Sequence, residues 1–197
     1  MGQIPRFARY VATSGGDNLV KITVSGHPGS GTSTLVGLIC THYNWSSLNG
    51  GDIFRQEAAT RNMSLADFGS LCSEDESVDR SLDTILQERM LKEGGPEVIE
   101  SRLSGWWAHK NGLGCIRIWL DVSDEVRARR VVEREGGELA EALESNRARS
   151  AIDLARFEKM YSLDPASPIP YTHIVESSSL QAEDVVNAVI TILEEAN

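Results

Sequence analysis

The sequence predicts an α/β fold, a parallel sheet of five strands with helices on both faces. Three observations lead there. Short apolar runs alternate with longer segments of helical period, the pattern of parallel strands joined by crossover helices. A turn dense in glycine sits directly between the first such run and the first helical segment. The 197 residues, 41% hydrophobic and 24% charged, suffice for one good core and not for two large ones.

In chain order, LVKITVSG is the first expected strand, and a helix over 32–43 follows its glycine turn. WSSLNG is the second strand, followed by a helix over 52–62. Ser64 with Asp67 forms a capping-box pattern that opens a short helix over 65–70. A helix over 77–93 ends at Gly94-Gly95, where a positive φ is usually needed. EVIES and CIRIWLD are the third and fourth strands. Ser123 caps a helix over 125–135 whose start carries Asp124 and Glu125, the end that favours negative charge. Gly136-Gly137 separates it from a helix over 138–161, as a connector or a hinge. YTHIVES and a helix over 180–195 complete the pattern.

Charge and cysteine usage narrow the function classes. With 29 acidic and 19 basic residues the net charge is −10 and the pI near 4.9, the opposite of a chain that tracks nucleic acid. No apolar run approaches the ~18 residues of a membrane span, and the first 18 residues lack the apolar block of a secretory leader. A water-soluble cytoplasmic protein with an N-terminal extension over 1–18 is the expectation. Cys40, Cys72 and Cys115 are odd in number and far apart, and His27, His42, His109 and His173 show no metal spacing. Only four of the nineteen basic residues are lysines; seven of the fifteen arginines fall between Arg127 and Arg156. An arginine fork grips phosphate oxygens two at a time, although six interleaved acids also suit a solvated helix face.

The sharpest motif is Gly26-His27-Pro28-Gly29-Ser30-Gly31-Thr32-Ser33-Thr34, between a strand and a helix. Gly26 and Gly31 have the spacing of a phosphate-binding P-loop, whose backbone N–H groups converge on phosphates ahead of a helix N-terminus. Ser33 stands where a hydroxyl would ligate Mg²⁺. Thr32 replaces the usual lysine, which removes a mobile cation from the β- and γ-phosphates. Further on, Arg149 and Arg156 are seven apart and share one helix face, with Asp153 spaced to orient both. Asp79, Asp83 and Gln87 recur at i, i+4 and i+8, one face that could read a nucleobase edge or simply be solvated. Trp119 lies in an apolar strand and reads as core, whereas Trp106-Trp107 are open to core or pocket wall.

The blocks GGDIFRQEAATRNMSLADF, SRLSGWW and IRIWLDVSDEVRARRVVEREG, with the glycine turn, make the chain from about residue 20 to 189 resemble the archaeal-type cytidylate kinases. In that family the loop also carries threonine at the lysine position. The resemblance implies a P-loop kinase domain over 19–197, with an acceptor-binding segment near 52–93 and a lid near 134–156. It implies that residues 26–34 hold ATP, that Asp52 and Arg55 lie at the acceptor phosphate, and that Ser33 and Glu100 hold Mg²⁺ or its water. Arg102 would meet the monophosphate. Arg149, Asp153 and Arg156 match a spacing whose arginines close over the transferred group. Ser101 departs from the family's usual glycine. The implied reaction is transfer from ATP to CMP or dCMP, by a monomer or weak dimer. Its partners would be small nucleotides, with no nucleic acid or membrane. A kinase for AMP, UMP or another acceptor, and a nucleotide binder without turnover, remain the alternatives at this stage.

Overall fold

A computed structural model describes residues 20–196, so the expected extension over 1–18 lies outside the described residues. The elements run β1 Ile22–Gly26, α1 Thr32–Tyr43, β2 Ser47–Asn49, α2 Gly50–Thr60, α3 Leu65–Glu74, α4 Glu76–Leu91, β3 Val98–Glu100, α5 Ser104–Lys110, β4 Ile116–Asp121, α6 Asp124–Glu135, α7 Leu139–Tyr161, β5 His173–Glu176 and α8 Ala182–Glu195. The five strands form one parallel sheet in the order β2-β3-β1-β4-β5. The chain crosses from β1 to the edge strand β2, comes back through β3 beside β1, then builds β4 and β5 on the other side. Such a reversal opens a crevice at the carboxyl ends of the central strands, where this architecture holds ligands. Among the described residues, no helix is long and apolar enough to cross a membrane.

Every residue of β1 is buried. Ile22 and Val24 pack with Leu35 and Ile39 of α1 and Val185 and Val189 of α8. On the other side of the sheet, Leu86 and Met90 of α4, Trp106 and Trp107 of α5 and Phe157 and Met160 of α7 form a second apolar layer. Full burial of side chains this size contributes roughly 1.5–3 kcal/mol each. Ala58, Phe68, Cys72 and Val78 make a small satellite core under α2, α3 and α4.

The helix α5 is an addition to the sequence reading. Ser104, Gly105, Trp106, Trp107 and Ala108 are consecutive and all buried, so this segment has no amphipathic period to find. Both tryptophans belong to the core: Trp106 donates its Nε1–H to the Asp164 carbonyl at 2.8 Å, and Trp107 meets Tyr161 edge-on. Trp119 is core as expected, 3% exposed. Helix α2 begins two residues before the expected start, because Asn49 caps it by accepting the Gly51 N–H. Ser64 and Ser123 cap α3 and α6 as their positions suggested. Helix α4 ends at Leu91, and Gly94, at φ +74°, forms the turn beyond it. Gly136 and Gly137 join α6 to α7, both at positive φ.

Candidate active site

The glycine turn hangs from the carboxyl end of β1 and feeds α1 at Thr32. The first N–H groups of α1 therefore face the turn with no helical partners, at the positive end of the helix dipole. Gly29 (φ +82°) lies so near α6 that a Cβ there would sit 2.9 Å from the Arg127 carbonyl. Arg127, 2% exposed, donates to the Pro28 carbonyl at 2.9 Å and pairs with Asp124. Arg130 donates to the Ser30 carbonyl at 2.8 Å and to Ser177 at 2.9 Å. Two arginines thus brace the turn from outside. Sequence reading counted them only as a dense charge run, although Arg127, Arg130 and Arg134 share a helical face. His27 lies edge-on to Trp119 at 5.0 Å, and burial, with Arg127 and Arg102 nearby, holds its imidazole below the usual range.

Three clefts open here. One of about 490 Å³ runs along the turn and α1, lined by Thr34, Leu35, Arg130, Arg134, Leu180 and Gln181 among others. A second of about 360 Å³ holds Gly26, Ser33, Asn49, Glu100, Arg102 and Arg149. A third of about 350 Å³ holds Asp79, Asp83, Arg102, Arg149 and Arg156. The second and third share Gly50, Gly51, Ser101, Arg102 and Arg149, so one wall serves both.

Glu100 ends β3 and is 7% exposed. Its Oε1 accepts the Ser33 hydroxyl at 2.8 Å, and its Oε2 accepts the Asn49 amide at 2.7 Å. Arg102 donates to the Gly26 carbonyl and to Asp153, each at 3.0 Å. Asp153 also faces Arg156 at 3.3 Å, and Arg156 reaches Asp79 at 3.1 Å. The expected role of Asp153 is therefore corrected in part: it orients Arg156 and Arg102, not Arg149. Arg149 is exposed, lines the shared wall and has no hydrogen bond or ion pair among the described residues. Helical spacing puts Arg149 on the same face, but Arg102 from the β3–α5 loop occupies the carboxylate first.

The remaining expected residues divide. Burial raises the Asp79 carboxyl while Arg156 opposes the shift. Burial pushes Asp83 up to about 6, although its oxygens accept from Tyr161 at 2.8 Å and Trp107 at 3.3 Å. Gln87 does not reach the third cleft; its amide turns back to the Asp83 carbonyl and meets Asn111. Asp52 and Arg55 pair with each other at 2.6 Å near the start of α2, with side chains 61% and 59% exposed, outside the cleft walls. Ser101 lines the shared wall, its buried hydroxyl without a hydrogen-bond partner among the described residues. A Cβ on Gly50 would lie 3.2 Å from that of Ser101, so glycine at 50 leaves room for the serine. Asn49 was missed because its pairing with Glu100 spans 51 residues.

A family model described as an AAA domain matches residues 25–147. The chain is 34% identical over 175 residues to the cytidylate kinase of Archaeoglobus fulgidus, covering 89% of this chain and 95% of that one. It is 41% identical over 143 residues to the cytidylate kinase of Halobacterium salinarum, 73% of each chain. Among solved structures, a gluconokinase from Sinorhizobium meliloti aligns with a TM-score of 0.58 at 16% identity, covering 90% of this chain and 93% of that one, a likeness of fold alone. A glycine loop, a carboxylate facing its serine and an arginine-lined chamber, with such identity over nine-tenths of the chain, place it plainly: it belongs to the cytidylate kinase family.

Proposed function

We propose that the chain transfers the γ-phosphoryl group of ATP to CMP or dCMP, giving ADP and CDP or dCDP. The observation that carries this reading is the shared wall. Arg102 and Arg149 line both the chamber at the glycine turn and the cleft that ends at Asp79. A donor phosphate held at residues 26–34 and an acceptor phosphate held near Arg55 would meet at these two guanidinium groups. Phosphoryl transfer needs positioning and charge neutralisation more than covalent help. With threonine at 32, arginines supply the positive charge, Arg149 and Arg156 over the transferring group and Arg134 beside the donor. Asp79, which lines the third cleft, offers a carboxylate for the cytosine amino group.

Residues 52–93 are the acceptor-binding segment and 134–156 the lid in this reading, with Gly136-Gly137 as its hinge. Ser33 and Glu100 fit Mg²⁺: both present hard oxygen atoms to one point, and nucleotide phosphates and water complete such a shell. When bound, the ion neutralises phosphate charge. No group of three or more His, Cys, Asp or Glu able to hold a metal occurs among the described residues, so the nucleotide would bring most ligands. A cytoplasmic monomer or weak dimer in pyrimidine nucleotide metabolism, acting on free nucleotides without nucleic acid or membrane, completes the proposal.

The test mixes purified protein with MgATP and each nucleoside monophosphate and follows ADP. CMP and dCMP should be the productive acceptors. ADP with AMP or UMP alone would reassign the acceptor, and no ADP with any acceptor would mean a binder without turnover.

A further inference from the structure

We propose that Asn49 is a positioning residue for phosphoryl transfer, one half of its amide holding Glu100 against Ser33 while the other half caps the acceptor helix α2. The proposal rests on the kinase reading above. Asn49 ends β2 and stands opposite Glu100 in the parallel ladder with β3. Its Nδ2 donates to the Glu100 Oε2 at 2.7 Å, and its Oδ1 accepts the Gly51 N–H at 2.6 Å. The other Glu100 oxygen accepts from Ser33 at 2.8 Å. One hydrogen-bonded chain thus runs from the first turn of α1, through the end of β3, to the first turn of α2. It joins the donor side of the chamber to the acceptor side.

The chemistry demands an amide. Glu100 is nearly buried, and a donor on each of its oxygens satisfies the carboxylate and fixes it in rotation. Asparagine carries a donor and an acceptor on one carbon, so it serves Glu100 and the helix together. Aspartate would cap α2 equally well but set a second negative charge against Glu100. Serine would cap and be too short to reach Glu100. Gly51 permits the arrangement, since a Cβ there would sit 2.9 Å from the Asn49 Oδ1.

Because capping survives in Asn49→Asp and Asn49→Ser, these variants separate the two halves of the amide. Three quantities are measured: the thermal midpoint without ligand, the equilibrium affinity for ATP with EDTA and with Mg²⁺, and kcat and KM with CMP. We expect ATP affinity in EDTA within about twofold, because neither contact touches the nucleotide directly, and a lowered midpoint in both variants, from charge repulsion in Asn49→Asp and from an unpaired Glu100 oxygen in Asn49→Ser. The gain in ATP affinity on adding Mg²⁺ should shrink about tenfold or more, with a parallel fall in kcat, as when a partner that orients a metal ligand is lost. A Mg²⁺-dependent gain and a kcat both within about threefold of wild type in both variants would overturn the proposal and leave Asn49 a helix cap. A lowered midpoint with an unchanged Mg²⁺ gain would do the same. The binding arm uses no acceptor, so failure of wild type to phosphorylate CMP would sink the functional reading and still leave Asn49 to be judged.

Discussion

Asp153 of α7 binds Arg102, and Arg102 binds the carbonyl of Gly26, each contact 3.0 Å long. One guanidinium therefore ties the long helix α7 to the glycine turn. The second Asp153 oxygen faces Arg156, so this carboxylate holds two arginines and leaves Arg149 unclaimed.

Arg149 and Arg156 are accordingly expected to differ. Arg149→Ala should lower kcat about 10³-fold while ATP affinity and thermal midpoint change little, because the side chain is exposed and unpaired among the described residues. Arg156→Ala should lower kcat comparably and also cost stability, about 1 kcal/mol, by leaving Asp79 without its counter-charge. Asp153→Asn should cost less kcat than either, since the arginines remain. Steady-state kcat, equilibrium ATP binding and thermal melts on each variant decide it. A kcat within about threefold of wild type for both arginine variants would mean a solvated helix face only.

Arg55 stands on the exposed rim of α2 with Asp52 as partner. Arg55→Ala should raise KM for CMP more than KM for ATP, with no loss of stability, because exposed pairs contribute ~0–1 kcal/mol. An equal rise in both KM values would contradict the assignment to the acceptor phosphate.

Asp83 gives a pH signature. Its carboxyl rises from 3.8 to about 6, chiefly through burial, so between these values the folded chain holds a proton that the unfolded chain has lost. Its contribution to stability is present at low pH and is lost as pH rises through about 6. Wild-type stability relative to Asp83→Asn should therefore fall between about pH 4 and 6, by on the order of 3 kcal/mol, and stay level above. Urea unfolding of both proteins at three or four pH values measures the difference; a flat difference would show that Asp83 ionises normally.

Gly29→Ala tests the brace on the glycine turn. The new methyl would be forced to a positive φ and to within 2.9 Å of the Arg127 carbonyl. A loss of at least about 1 kcal/mol of stability is expected, with weakened ATP binding in the same variant. Retained midpoint and affinity would show that the turn can shift away from α6.

Much of this molecule was legible in one dimension. The alternation of apolar runs and helical segments defined five strands and all the helices but one, and the glycine spacing located the phosphate turn. Ser64 and Ser123 marked their helices because a cap acts over three residues. These are local signals, set by what a residue does to its own turn of chain. The short helix α5 escaped because its neighbours bury every side of it, and burial all round erases the period that announces a helix.

The site's wiring was decided elsewhere. Helical spacing correctly put Arg149, Asp153 and Arg156 on one face, yet it is silent about what lies opposite that face. Arg102 reaches Asp153, and Asn49 reaches Glu100, each across 51 residues of chain. The second follows from β2 and β3 lying side by side in register, and the first from helix α7 packing over the loop that follows β3. The sequence by itself determined which chemical groups exist and the local elements that carry them. Only the tertiary structure decided which of them meet, because a hydrogen bond reaches about 3 Å and only the packing of strands and helices brings distant residues that near.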